Sequence, residues 1–333
     1  MAGTFVKVQG LRKWFPVKRS FSEIMHARAA GFVKAVDDIS FEIEKGSIFV
    51  LAGESGSGKT TVARLILRAI EPDAGSVFFD DMDITKIDER QLKKFRINAQ
   101  MVHQDPYASI DPRMRILEIV MEPLTVHKIG SKKEQQERVM KALEEVRLEP
   151  VADIAYRYPH MLSGGQRQRV ALARALVMKP KVIVADEPVS MLDISIRAEI
   201  LELMQNLQKK HDITYLYITH DLSTARYIGE NIAIMYLGKI VERGPIDKVL
   251  LNPLHPYTQA LIDALSEPDP NNRFVEKKVR IKTETGTEVM HGGCNFEPRC
   301  PYAMDVCKQE PKLLEVEESH YVSCFLYPKC LLC

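Results

Sequence analysis

The chain has 333 residues, of which 45% are hydrophobic and 27% charged, the make-up of a globular protein with a sizeable core in two or three units. A formal net charge of +1 removes any whole-chain electrostatic reason to expect nucleic acid or an acidic membrane as partner. The opening "MAGTFVKVQG" lacks the basic and apolar regions of a signal peptide, and no run of about 18 apolar residues offers a membrane span, so a cytosolic chain is expected.

In chain order, "TFVKVQG" and "VKAVDDISFEI" predict an antiparallel first hairpin. Between them "VKRSFSEIMHARAAGF", 17–32, places Phe21, Ile24 and Met25 on one helical face among basic residues, and reads as a short packed excursion rather than a membrane contact. Next, "SIFVLAGESGSGKTTVARLILRAI", 47–70, runs from an apolar strand through a glycine-rich turn into an amphipathic helix. Gly53-Glu54-Ser55-Gly56-Ser57-Gly58-Lys59-Thr60 matches G-x-x-x-x-G-K-[ST] in the setting that motif requires. Glycines let backbone N–H groups curl around phosphate, and the helix from Lys59 aims its positive end at the same anion. Lys59 is expected to reach the outer phosphates and the Thr60 hydroxyl to ligate Mg²⁺. This is a nucleoside-triphosphate site.

"RILEIVMEPLTVH" and "KKEQQERVMKALEEVRL" carry helical apolar spacing and predict a helical subdomain from about 105 onward. "YPHMLSGGQRQRVALARALVMKP", 158–180, sets Ser163-Gly164-Gly165-Gln166 at another helix start, a second anion-binding end. Because the chain already has a phosphate loop, the economical explanation is that this one serves the nucleotide of a different protomer. "KVIVADEPVSMLDIS", 181–195, predicts a buried parallel strand, Val182 to Ala185, ending in Asp186-Glu187. Ligand chemistry in open α/β sheets sits beyond the carboxyl ends of strands, so Asp186 is expected to hold Mg²⁺ through water and Glu187 to polarise the attacking water. Residues 266–288, rich in Pro, Asn, Glu, Lys and Thr, read as a tether.

Taken together, the phosphate loop, Gln104 in "VHQDP", Leu162–Gln166, Asp186-Glu187, "SMLD" ending at Asp193 and His220 in "YITHDL" resemble the nucleotide-binding subunit of an ABC transporter over about residues 1–265. That resemblance implies an α/β fold: a P-loop NTPase (RecA-like) core, an antiparallel β subdomain, a helical signature subdomain (about 105–177) and a small Cys-rich C-terminal extension (linker and module, 266–333). It implies head-to-tail dimers in which Ser163 and Gly165, within the signature Ser163-Gly164-Gly165-Gln166, contact the γ-phosphate across the interface, with His220 contacting it in cis. Asp193 would couple the two sites, Gln104 would join Mg²⁺ and sense the transporter, and Thr61 would touch the inner phosphates. The loop residues Gly53, Ser55, Gly56 and Gly58 belong to the same set, with Phe15, or neighbouring Trp14, stacking on adenine. The stretches "QDPYASIDPRM" and "LHPYTQALIDAL" are similar to those of oligopeptide and dipeptide importer ATPases, and "PYAS" to the second ATPase of such systems. Implied partners are a second ATPase subunit (a heterodimer, with a homodimer as alternative), two membrane permeases and, indirectly, an extracytoplasmic solute-binding protein, at the cytoplasmic face of the membrane. No nucleic acid is implied. The other class weighed is a soluble ABC ATPase of DNA repair or translation; neither a coiled-coil insertion nor a second phosphate loop supports it.

All six cysteines fall from Cys294 onward. In a reducing compartment such thiols point to metal ligation or plain thiols rather than disulfides. Cys294, Cys300, Cys307 and Cys324 lack the close pairs of structural zinc sites, while iron–sulfur clusters tolerate wider loops and a Cys-Pro step like Cys300-Pro301. Tails of the peptide-importer ATPases that this chain resembles are associated with a 4Fe–4S cluster. A cluster is therefore the expectation, with zinc and no metal as alternatives. Cys330 and Cys333 are expected to be spectators.

Overall fold

The computed structural model describes residues 3–17, 31–264 and 292–327. Most of the 17–32 excursion, the 266–288 tether, Cys330 and Cys333 lie outside these residues. Twelve strands are described. The first six are β1 (Thr4–Pro16), β2 (Phe32–Glu44), β3 (Ile48–Ala52), β4 (Ala74–Phe79), β5 (Met82–Asp83) and β6 (Ala99–Val102). The remainder are β7 (Val182–Asp186), β8 (Thr214–Thr219), β9 (Asn231–Tyr236), β10 (Lys239–Pro245), β11 (Leu314–Glu317) and β12 (His320–Val322).

β2, β1, β4 and β5 form an antiparallel sheet, with Val6 opposite Ile43 and Val8 opposite Phe41, so the predicted first hairpin is present. The second sheet has the order β11-β12-β10-β9-β3-β8-β7-β6. From β9 to β6 neighbours run parallel; at the other edge β10, β12 and β11 pair antiparallel. Strands buried on both faces should read as continuous apolar runs, and "IFVLA" and, up to its terminal Asp186, "VIVA" do. Alternation splits them between two cores: Ile48, Val50 and Ala52 pack against the helical side, Phe49 and Leu51 against the antiparallel sheet.

Helix α1 (Lys59–Ile66) follows β3 directly and buries Val62, Leu65 and Ile66. The helical layer includes α2 (Ile116–Val126), α3 (Lys132–Glu145) and α4 (Gly164–Leu176), whose buried Ile119, Val120, Val139, Leu143, Val170 and Leu172 share one core. α3 starts at a reciprocal cap in which Ser131 and Glu134 satisfy each other's backbone amides. α5 (Ile194–His211) follows Asp193.

The C-terminal segment docks on the sheet rather than standing apart from it. β12 pairs with β10, setting Glu242 opposite Val322. The Glu242 carboxylate is fully buried and accepts from the Leu254 and His255 amides and from His320 Nε2, each at 2.8 Å. Three partners meet the cost of burying that charge. α6 (Pro256–Asp263) is capped by His255, whose Nδ1 accepts the Tyr257 amide at 3.0 Å; burial pushes its pKa down to about 3, which keeps the ring neutral and able to accept. Phe296 then closes an aromatic cluster, 5.4 Å from Tyr236 edge-on and 5.6 Å from Tyr257. Phe296→Ala is expected to cost about 3–5 kcal/mol, the range for emptying a buried aromatic site. It should expose 292–327 to limited proteolysis before the rest of the chain, which a timed digest resolved by mass spectrometry would show.

Candidate active site at the carboxyl edge of the parallel strands

The phosphate loop leaves β3 at Gly53 and enters α1 at Gly58. Gly58 has φ +106, and a Cβ there would run into the carbonyl oxygen of Ala35 on β2, so both backbone shape and close packing demand glycine. Nothing lies within 4 Å of a Cβ built on Gly56, whose φ is +81, so the loop presents open backbone to that side. Lys59 is 5% exposed and its Nζ donates to the carbonyls of Gly53 and Glu54, both at 2.8 Å. Burial pushes its pKa down, against the pull of the Glu187, Asp186 and Glu54 carboxylates. It is a desolvated ammonium held inside a ring of oxygen atoms, poised to exchange carbonyls for phosphate.

Thr60, the second residue of α1, donates from Oγ1 to Asp186 Oδ1 at 3.3 Å, bringing together two of the expected Mg²⁺ ligands from β7 and α1. Asp186 is 4% exposed and burial raises its pKa, opposed by the Thr60 bond. A hydroxyl, a carboxylate and the Gln104 amide are hard oxygen donors, a set that suits Mg²⁺. Glu187, next in sequence, has φ +46, sparsely populated for a non-glycine residue, and its amide donates to Ile218 O at 2.9 Å. Its Oε2 accepts from Gln104 Nε2 at 2.9 Å and lies 2.9 Å from His220 Nδ1. Gln104, expected at Mg²⁺, and His220, expected at the γ-phosphate, thus reach from beyond the ends of β6 and β8 to one oxygen of Glu187, the residue that follows β7.

The adenine candidates separate on contacts. Trp14 donates from its indole to Asp37 Oδ1 at 3.2 Å and is covered by Lys34 Nζ, 4.6 Å from the ring. Phe15 is 40% exposed, with Lys13 Nζ 5.7 Å from its centroid. Thr61 lies in the first turn of α1. The signature residues are not joined to this pocket by their own bonds. Ser163 Oγ accepts from the Gln166 amide and Gln166 Oε1 from the Ser163 amide, a closed capping box at the start of α4. A Cβ on Gly165 would meet Ile196 of α5 at 2.6 Å, so glycine there permits the approach of α4 to the turn after Asp193.

A family model for ABC transporters matches residues 36–190, and one for the oligopeptide/dipeptide transporter C-terminal region matches 241–307. The oligopeptide transport ATP-binding protein AppF of Bacillus subtilis is 41% identical over 327 residues, 97% of this chain and 98% of that protein. The chain belongs to the ABC transporter ATPases, in their oligopeptide/dipeptide branch. A putative peptide import ATP-binding protein of Brucella ovis is similar to this ABC ATPase at 44% identity, covering 88% of this chain and 92% of the relative. Among solved structures, the dimeric post-hydrolysis ATP-binding cassette MJ0796 bound to ADP and phosphate matches with a TM-score of 0.62 and 30% identity, covering 72% of this chain and 98% of that one. Membership makes the chain an ATP hydrolase that binds ATP and Mg²⁺, with ATPase dimerisation and membrane permeases implied. It favours transport over the DNA-repair or translation class. No helix among the described residues is long and apolar enough to cross a membrane.

The cysteine expectation is corrected. Cys294, Cys300, Cys307 and Cys324 line one small apolar pocket with Phe296, Phe325 and Leu326, yet among the described residues no group of three or more Cys, His, Asp or Glu side chains is placed to hold a metal ion. The thiols pack as small hydrophobes: Cys300 in the main core, Cys307 against Phe325, Cys324 with Val322 and Leu254. Burial pushes the Cys294 thiol up to about 11 and the Cys324 thiol up to about 12. The 4Fe–4S assignment does not stand.

Sequence reasoning missed Glu54, Tyr236, Tyr257 and Arg299 around the phosphate loop. Tyr257 hydroxyl accepts the Glu54 amide at 2.9 Å. The "HPYT" and "EPRC" stretches containing Tyr257 and Arg299 were visible, but nothing in their spacing pointed at residue 54.

Proposed function

We propose that this ABC ATPase powers the import of oligopeptides or dipeptides through two membrane permeases, burning ATP at composite sites shared with a second ATPase subunit. The observation that carries the hydrolytic part is the convergence of Gln104 and His220 on the Glu187 carboxylate, one residue beyond the Thr60–Asp186 pair. Lys59 and the backbone amides of Gly53, Ser55, Gly56 and Gly58 hold the β- and γ-phosphates, Thr61 touches the inner ones, and Phe15 stacks on adenine. Thr60, Asp186 and Gln104 would hold Mg²⁺, which would supply positive charge to offset that of the phosphates. Glu187 orients water in line with the γ-phosphorus and takes its proton, while His220, hydrogen-bonded to the same carboxylate, fixes the geometry and contacts the γ-phosphate.

Ser163 and Gln166 close a capping box at the start of α4; in this reading Ser163, Gly164, Gly165 and Gln166 form the helix end that meets the triphosphate of a facing subunit, with Asp193 at the shared border. Contacts available only in the closed dimer supply the roughly 5.5 kcal/mol needed to move a two-state balance from 1:99 to 99:1. In this reading 1–265 is the ATPase unit, 266–333 a tail attached to it, and the protein works peripherally at the cytoplasmic face as the second ATPase of a heterodimeric pair. The test is reconstitution with its permeases and solute-binding protein in liposomes. Peptide uptake should require MgATP and stop with a chelator; uptake independent of MgATP, or MgATP-driven uptake of a non-peptide solute only, would refute the assignment.

A further inference from the structure

The second residue of the phosphate loop, Glu54, is a carboxylate where a triphosphate must approach. Every polar group of this residue is engaged. Its amide donates to Tyr257 Oη at 2.9 Å, and its carbonyl accepts from Lys59 Nζ at 2.8 Å. Its carboxylate is gripped by Arg299, with Nη1 to Oε2 at 3.2 Å and Nη2 to Oε1 at 3.4 Å, across 245 positions of sequence. Arg299 sits in the short turn Glu297–Arg299, between Cys294 and Cys300. The same guanidinium donates to Tyr236 Oη at 3.3 Å and lies 5.8 Å from the Tyr236 and Phe296 ring centroids. A two-point fork on a carboxylate, backed by rings that fix the plane, is a geometry that arginine and not a point charge provides.

We infer that Arg299 of the C-terminal segment is a positioning residue for ATP: it neutralises Glu54 and holds it aside, so that the phosphate loop meets the triphosphate without an opposing charge. The inference rests on the nucleotide reading of that loop. The Arg299–Glu54 pair is net neutral beside the phosphates; removing the arginine alone leaves a bare carboxylate on the residue whose carbonyl holds Lys59 Nζ. Both side chains are partly exposed, at 30% and 43%, so the effect is screened by solvent and salt.

The experiment uses the full chain and measures MgATP affinity by displacement of a fluorescent nucleotide, together with kcat and KM for ATP. Arg299→Gln is expected to weaken ATP by roughly three- to tenfold in KM with kcat within about twofold, an effect that shrinks as salt is raised. Adding Glu54→Gln to that variant restores neutrality and should return affinity to near the parent, and Arg299→Lys should fall between. If the double variant stays as weak as Arg299→Gln, the arginine only staples the fold and the proposal is wrong. Unchanged affinity in Arg299→Gln overturns it too. Should the parent itself bind no nucleotide, the reading of the loop fails first, and the inference with it. A melting curve for each variant separates loss of charge balance from loss of structure, and the charge-restoring double variant decides even where Arg299→Gln is unstable.

Discussion

Glu187→Gln is expected to lower ATP turnover by about 10²–10³-fold, within the range that a positioned general base contributes, while leaving MgATP binding intact. The substitution keeps the shape of the side chain and one oxygen able to accept from Gln104 or His220, so the convergence at 2.9 Å from each survives in part. The backbone turn at φ +46 is set by the main chain and its bond to Ile218, and is indifferent to the change. What is lost is the negative charge that takes a proton from water. Binding without hydrolysis should accumulate the nucleotide-bridged dimer, visible by size-exclusion chromatography in MgATP. Single-turnover hydrolysis at the parent rate would show that another group is the base.

Lys59→Ala is the second large effect, and it falls on binding. The ammonium is buried within the loop it serves, and burial already works against its charge. Charge-assisted bonds from such a donor to phosphate contribute about 1.5–3 kcal/mol each, so losing them should raise the ATP dissociation constant by roughly 10²-fold. Its partners without phosphate are backbone carbonyls of the same loop, so the melting temperature of the nucleotide-free protein should barely fall, while stabilisation by added MgATP largely vanishes. Thermal shift with and without MgATP tests both halves. An unchanged response to nucleotide would mean that Lys59 does not contact phosphate.

The two variants divide the site as the strands do. Lys59 sits on the helix after β3, and Glu187 at the end of β7. Their functions are separable because a parallel sheet delivers each group from a different strand to one edge.

Much of this was determined by sequence alone, wherever the information is local. The phosphate loop is eight consecutive residues whose glycine positions, lysine and threonine are fixed by how backbone wraps phosphate. Asp186 and Glu187 are adjacent, at the end of an apolar run long enough for one buried strand. The helix start at Ser163-Gly164-Gly165-Gln166 follows from a serine and two glycines set just before an apolar helical repeat. Only the tertiary structure decided the rest. The left-handed turn that aims Glu187 at His220 and Gln104 cannot be read from a spacing. Nor can the Arg299 fork on Glu54, or the burial of Glu242 beneath the Leu254, His255 and His320 donors, because each joins segments that only chain topology makes neighbours. The cysteines mark the same boundary from the other side. Their sequence pattern suggested ligands, but ligation depends on how side chains are placed relative to one another; no metal-holding group of three or more forms among the described residues, and the sulfurs pack against Phe325, Val322 and Leu254 instead.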